Sequence, residues 1–190
     1  KRQVLAAAAH AQTAPVVPAA KAGETGRISL GYVDAGDADG YRLAVSAGIA
    51  QHCFIEASFA DASGLTAATD YRSYSFAAGY RWAFGAGKAS VALGLGSLDS
   101  DTAALNGEQY SARLGYTVEI AKGLEAEISL THTFNSLDDT TVADLTAPTL
   151  TLRYVVANGL GIEASASSKD TLSHTDTDHG SWSLAATYSF

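Results

Sequence analysis

The chain is poor in cysteine, proline, charged residues and long apolar runs, and it contains no methionine. Among its 190 residues there is one cysteine, Cys53, so no internal disulfide can form. Proline occurs three times, methionine is absent, and charged residues make up only 17%. No apolar run approaches the ~20 residues that a membrane-spanning helix needs, and the mean hydropathy is +0.05. These shortages exclude a disulfide-stapled domain and a helical membrane protein.

What the sequence has instead is an alternation of apolar with small or polar residues in ten segments. Because successive side chains of a strand point to opposite faces, each segment has one apolar and one polar row. The apolar rows run through residues 28–32, 41–49, 53–59, 74–82, 89–95, 110–120, 124–134, 150–156, 160–166 and 182–190. The other rows carry Ser, Gly, Ala and Thr with occasional Arg and Glu, and an Arg on a lipid-facing row costs ~2 to 4 kcal/mol at the bilayer midplane. The pattern predicts an all-β protein, a ten-stranded antiparallel up-and-down transmembrane β-barrel with the apolar rows outside.

The connections between these segments alternate in length. Four are tight, at residues 50–52, 84–87, 121–123 and 157–159, and five are longer, at 34–39, 61–71, 98–106, 135–145 and 169–179. Short periplasmic turns and long extracellular loops alternate in this way in bacterial outer-membrane barrels, which have an even number of strands. We therefore expect strands of membrane length, with both termini on the periplasmic side.

The distribution of charge and aromatic residues fits the same interpretation. All thirteen Asp residues fall in the five long connections, whereas five of the seven Glu residues fall on inward strand positions. The aromatic residues form two levels, one near the loops and one near the turns, as expected of girdles at the two bilayer interfaces. A soluble sandwich or a lipocalin-like barrel with an apolar interior would leave these two levels unexplained.

The inward charges are the candidate functional residues. Counting from the turns places most of them toward the periplasmic half, with Arg113 nearer the middle and Arg42 near the loop end. We expect a lumen gate formed by Arg27, Glu56, Arg81, Arg113, Glu119, Glu125, Glu127, Arg153 and Glu163. Ten strands leave a wider lumen than eight, and long Arg and Glu side chains at one level can obstruct it. The alternative is that they are hydrated residues lining an open lumen.

Residues 1–26 follow different rules from residues 27–190, which form the barrel. They have a basic start, a short apolar run and Ala9-His10-Ala11 ahead of Gln12, an A-x-A type cleavage pattern. We expect a remnant of a signal peptide or an N-terminal tail, either in the periplasm or in the lumen, where it could reinforce the gate. Cys53 lies on an outward row and is expected to act as a small apolar residue facing lipid.

At this point a family resemblance can be stated. The segments LGYVDAGDADGYRLAVSAGIAQHCFIEASFA, YRSYSFAAGYRWAF and the terminal ATYSF resemble the small outer-membrane β-barrel proteins of Gram-negative bacteria, in particular the short type with an acidic first loop. The resemblance implies location in the outer membrane, contact with its lipid and lipopolysaccharide, and insertion by the barrel-assembly machinery. It carries no residue with an assigned chemical role.

Two enzymatic alternatives have weaker support. Omptin proteases also have ten strands and carry acidic and Asp-His pairs at the extracellular mouth, which residues 99–101 and 176–179 resemble superficially. Omptin strands, however, project well above the membrane. Lipid A deacylases place a His and a Ser two residues apart on a lipid-facing strand, but here Phe134 follows His132 at that spacing. We therefore expect that the protein is not an enzyme.

Metal sites are also weakly indicated. Residues 34–40 have the oxygen density of a calcium loop but lack the distal bidentate Glu, and His174, Asp176, Asp178 and His179 are a loose transition-metal set. We expect no cofactor, no defined metal site and no nucleic-acid partner. The expected function is a structural barrel or narrow passive pore with acidic extracellular loops. The alternative is a surface recognition or adhesion protein that acts through those loops, and the sequence names no partner protein.

Overall fold

The computed structural model describes residues 26–34, 38–64, 70–100, 106–137, 144–168 and 180–190. They form ten strands. The strands are β1 (Gly26–Asp34), β2 (Ala38–Gly48), β3 (Cys53–Gly64), β4 (Asp70–Phe84), β5 (Gly87–Ser100), β6 (Gly107–Ala121), β7 (Leu124–Leu137), β8 (Leu145–Ala157), β9 (Leu160–Ser167) and β10 (Ser181–Ser189).

Each strand pairs antiparallel with its sequence neighbours, and β1 pairs with β10, so that the sheet closes into a barrel. Closure satisfies the backbone of every strand from within the sheet and leaves no open edge, which a lipid environment demands. The predicted fold class and strand count are therefore confirmed. Within the described residues no helix is long and apolar enough to cross a membrane.

The tight turns are built by residues that accept positive φ. Asn158 and Gly159 have φ values of 50° and 81°, the pair that a type I′ hairpin requires. Gly85 and Gly123 have φ values of 58° and 77°. Three of the four predicted short turns thus contain a left-handed glycine, which fixes where each hairpin reverses.

The outward rows are apolar as predicted. Thirty large hydrophobic side chains are exposed on the described surface, and all except Phe84, which ends a strand at a turn, belong to the predicted apolar rows. Examples are Leu93 at 68% exposure and Leu114 at 60%. A soluble protein does not expose apolar surface around its whole circumference, so lipid is the solvent that this surface fits.

The strands are longer and less uniform than predicted. β4 to β8 have 13 to 15 residues, more than the 9 to 11 or so that cross a bilayer, whereas β9 and β10 have 8 and 9. The expectation of membrane-length strands and of Asp residues confined to loops is therefore wrong. Asp39, Asp61 and Asp99 lie within strands near the loop end, because hydrogen-bonded pairing continues above the level at which apolar residues are needed.

Candidate functional site in the barrel lumen

The inward rows divide the lumen into two zones. Near the loop end several inward residues are apolar and buried beside polar Ser73 and Gln109, namely Val33, Ala60, Ala62, Leu98, Leu145 and Ala147, all 5% exposed or less. Toward the turn end the buried inward residues are Ser, Thr and most of the inward charges. The inward charges therefore lie mostly in the half of the barrel near the turns, as counting from the turns predicts. The loop half of the lumen is more apolar.

Most of the predicted gate residues are buried within this charged layer. Glu56 is 1% exposed, Arg153 2% and Glu127 3%. Arg27, Arg113, Glu125 and Glu163 are between 4% and 9% exposed. Residues that line a water-filled pore stay accessible to water, so burial of this degree means that the side chains fill the lumen at this level. We call these seven residues together with Arg81 the lumen plug.

One ion pair of the plug crosses the lumen. Arg113 on β6 donates from Nη2 to Oε1 of Glu56 on β3 at 2.6 Å. Strands β3 and β6 are not neighbours, because β4 and β5 lie between them. This ion pair, called the bridge below, therefore spans the lumen between non-adjacent strands. The side chains of Arg113 and Glu56 are 4% and 0% exposed.

A second cluster lies along the wall. Arg153 on β8 donates from Nη1 to Oε2 of Glu125 at 2.8 Å, and from Nη2 to Oε2 of Glu163 at 3.0 Å. The two acids lie on the flanking strands β7 and β9, directly in register with Arg153. These pairs join strands already held together by backbone hydrogen bonds, so they line the wall and do not span the lumen.

The remaining plug members connect the bridge and the wall cluster. Glu127 accepts from Thr117 Oγ1 at 3.3 Å and interacts electrostatically with Arg113 and Glu163. Arg27 donates from Nε to Ser189 Oγ at 3.4 Å, and its charge interacts with that of Glu163. The charges thus form one network around the lumen, in which each buried charge has opposite charge nearby, as burial requires.

Arg81 contacts a residue that sequence reasoning missed. Its guanidinium carbon lies 4.7 Å from the ring centre of Phe54, which is 3% exposed on the inward side of β3, a cation–π distance. The ring occupies space left by Gly79, where an added Cβ would lie 2.3 Å from Phe54 Cζ. The available signal was the position of Phe54, two residues before Glu56 on the same inward row.

Two other charges lie outside the plug. Glu119 is exposed, and its Oε1 accepts from the backbone N–H of Gly123 in the β6–β7 turn, so the structure does not bring it into the plug. Arg42, expected near the loop end, interacts with the charges of Glu56 and Glu163. Its position on β2 is near the loops, and its side chain adds a further cation above the plug.

The other candidate sites are only partly described. Residues 35–37, 101 and 174–179, which contain most of the metal and protease candidates, lie outside the described residues, as do residues 1–25 of the proposed tail. Among the described residues no three His, Cys, Asp or Glu side chains are grouped to hold a metal. His132 is hydrogen-bonded to Thr146 Oγ1 at 2.7 Å and packs edge-on against Phe134. Cys53 is a free thiol of intermediate burial.

Comparison with known proteins supports the fold. A solved outer-membrane channel of Pseudomonas putida F1 is 11% identical, with a TM-score of 0.55, over 94% of this chain and all of that one. The KdgM porin is 13% identical, with a TM-score of 0.52, over 86% of this chain and 99% of that one. It has also been solved in complex with disordered oligogalacturonate. No protein-family model and no curated protein matches the sequence.

The fold is therefore that of the outer-membrane β-barrel proteins, as the sequence resemblance implies. Identities this low establish the architecture alone, because unrelated functions share one fold. The role of the lumen plug has to be interpreted from its own geometry.

Proposed function

We propose that this protein is a narrow passive pore of the outer membrane, held closed by the lumen plug in the state described. The observation that carries the proposal is the Arg113–Glu56 bridge, which spans non-adjacent strands and is buried. The rest of the inward surface is mostly Gly, Ala, Ser and Thr, which would leave a ten-stranded lumen open in the absence of long side chains.

The proposal separates two kinds of charge by their place in the barrel. Releasing the bridge frees Arg113 to turn away from Glu56 and removes the contact that spans the lumen. Releasing Arg153 from Glu163 removes a contact against the wall, where backbone pairing already sets the strand spacing. Conductance should therefore depend on the bridge far more than on the wall cluster.

Single-channel recording in planar bilayers tests this separation. Arg113→Ala combined with Glu56→Ala removes both partners of the bridge at unchanged net charge, and should convert small or intermittent currents into larger, steadier ones. The matched control is Arg153→Ala combined with Glu163→Ala, which also leaves net charge unchanged, likewise takes the cation from one remaining carboxylate, Glu125, and should keep the conductance close to wild type. Large steady currents in the wild type, or equal effects of the two double variants, would exclude the proposed gate.

The proposed orientation places the turns and both termini in the periplasm, and the proposed environment includes phospholipid and lipopolysaccharide after insertion by the barrel-assembly machinery. The alternation of short and long connections supports this orientation, and the apolar outward rows support the lipid environment. The proposal assigns no catalytic step. Labelling of substituted cysteines on intact cells, described below, tests the orientation independently of conductance.

A second candidate function rests on the acidic rim. Asp39, Asp61, Asp70 and Asp99 lie in strands at the loop end of the barrel, and β4 to β8 extend beyond membrane length there. This arrangement favours a surface that recognises a basic partner through the loops. Exchange of the long loops for short Gly-Ser links should abolish such binding while leaving conductance intact, whereas a pore without this role would lose nothing.

A further inference from the structure

Two arginines of the lumen differ from the other inward charges because water reaches them. Arg42 on β2 and Arg81 on β4 are partly exposed, whereas the four carboxylates of the plug are between 1% and 9% exposed. Within the described residues, neither guanidinium forms an ion pair or a hydrogen bond, and each interacts with the plug carboxylates only through longer-range electrostatics. The lumen therefore presents positive charge to water and keeps the negative charge of the plug covered.

The two arginines lie on opposite sides of the bridge. Glu56 is in register with Ser46 on β2 and with Ala77 on β4. Arg42 lies four residues from Ser46 toward the loops, and Arg81 lies four residues from Ala77 toward the turns. An ion that passes the plug in either direction therefore meets an accessible guanidinium before and after the buried carboxylates.

The neighbouring side chains leave each guanidinium charged and accessible. Arg42 is in register with Gly31 on β1 and Ala60 on β3, so no long side chain covers it from the same level of the adjacent strands. The guanidinium carbon of Arg81 lies 4.7 Å from the ring centre of Phe54. That cation–π contact orients the group without neutralising its charge.

Above the plug, Arg42 is the only charged residue at a described inward position in the loop half of the barrel. The lining there includes two pairs of hydroxyl groups, Ser58 with Ser75 at 2.8 Å and Ser165 with Ser183 at 2.6 Å. A hydroxyl group both donates and accepts hydrogen bonds, so it can solvate ions of either sign. Arg42 therefore decides which sign of ion this half of the lumen favours.

The accessible acids oppose this positive charge only at the two ends of the barrel. Glu119 is the one exposed inward carboxylate of the described strands, and it lies at the β6–β7 turn, where its Oε1 accepts from the backbone N–H of Gly123 at 3.1 Å. Lys88, at an inward position of the neighbouring strand β5, offsets its charge. The acids of the loop rim, such as Asp61 and Asp99, lie on outward rows, so the barrel wall separates them from the lumen.

We propose that Arg42 and Arg81 make the pore selective for small anions over cations, an inference that rests on the proposed pore function. An anion is attracted to each accessible guanidinium while it is inside the lumen, and a cation is repelled by both. One unit charge at about 5 Å in water changes the local concentration of an ion roughly fourfold, so the anion-to-cation permeability ratio should be at least about four. This is the opposite of what the net charge of -8 would predict.

Reversal potentials in planar bilayers test the selectivity on the full chain. With about 1 M KCl on one side and about 0.1 M on the other, Debye lengths of about 3 and 10 Å screen the loop acids. The wild-type current should reverse nearer to the chloride than to the potassium equilibrium potential. Arg42→Gln and Arg81→Gln should each lower the permeability ratio about two- to fourfold, and the double variant should bring it to about one or below.

Arg72→Gln is the matched control. It removes the same charge from the chain, but Arg72 lies on an outward row at the loop end, 3.5 Å from Asp61. The permeability ratio of this variant should therefore stay at the wild-type value. Heat-modified migration on gels checks that every variant folds, and the wild-type ratio tests the proposal without any substitution.

The selectivity and the gate fail in different ways, because a reversal potential is read at zero net current and does not depend on how long the pore stays open. Anion selectivity with large steady wild-type currents would refute the gate and retain the selectivity. Equal permeability or cation selectivity in the wild type would overturn the selectivity, as would an equal effect of Arg72→Gln. Absence of current in both the wild type and Arg113→Ala combined with Glu56→Ala would refute the pore function and this inference with it.

Discussion

Removing one member of the cross-lumen bridge should destabilise the barrel far more than removing both. In Arg113→Ala, Glu56 would keep its charge at 1% exposure without the guanidinium that lies 2.6 Å away. Breaking a buried ion pair in this way costs about 3–5 kcal/mol. In the variant that also carries Glu56→Ala, the bridge leaves no carboxylate without its partner, so the cost should fall below that of Arg113→Ala, and what remains is the lost packing and the loss of Arg113 beside Glu127.

The assay is a double-mutant cycle on unfolding free energy. Wild type, the two single variants and the double variant are folded into vesicles of one lipid composition and unfolded in urea, with heat-modified migration on gels as a second probe. If each single substitution costs about 3–5 kcal/mol and the double substitution costs less than either, the interaction energy should exceed about 3 kcal/mol in magnitude, above the range usual for residues in contact. The interaction energy should be negative, because the second substitution removes the charge that the first substitution leaves unpaired.

An exposed ion pair of the same barrel supplies the comparison. Arg72 and Asp61 lie 3.5 Å apart with side chains 60% and 47% exposed, so Arg72→Ala should cost at most about 1 kcal/mol, with salt screening reducing it further. If Arg113→Ala costs no more than Arg72→Ala, the bridge is not buried as described. Additive effects of Arg113→Ala and Glu56→Ala would likewise refute a direct pairing across the lumen.

Two further predictions concern facing and orientation. Leu114→Arg puts a charge on the lipid-facing row and should cost about 2–4 kcal/mol of folding free energy in vesicles. Ser90→Arg on the inward row should cost less. Equal costs of the two substitutions would contradict the assigned faces. In a Cys53→Ser background, Asn106→Cys should label on intact cells with a membrane-impermeant thiol reagent and Asn158→Cys should not. The opposite labelling would invert the barrel in the membrane.

The facing of the strands could be predicted because lipid and water impose opposite demands on alternate residues. Leu114 lies on a row with no charge across the bilayer, so a slip of one residue would place Arg113 in lipid. The ends of the strands carry no such constraint. Beyond the lipid both faces are wet, and Asp61 or Asp99 fits a strand as well as a loop, so the predicted strands ended too early.

The membership of the plug was more predictable than its contacts. Counting alternate residues places Arg153 and Glu163 inward, but an unbroken hairpin from Ala157 and Leu160 would pair Tyr154 with Glu163. The register shift between Val155 and Ala157 restores the pairing of Arg153 with Glu163. A similar shift between Glu119 and Ala121 sets the β6–β7 pairing. Such bulges depend on local backbone geometry that the apolar pattern does not reveal.

The contact between Arg113 and Glu56 across the lumen is harder still to predict. Its structural origin bears on how the proposed pore would open. Arg113 and Glu56 are brought together by the curvature and stagger of the closed sheet, which no local pattern specifies. The wall pairs around Arg153 would persist whether the lumen is open or closed, since backbone hydrogen bonds fix their strands. In the proposed gate, opening begins with rotation of the Arg113 side chain away from Glu56 and needs no movement of a strand. A gate of this kind should flicker between brief states, because side-chain rotation is faster than rearrangement of a sheet.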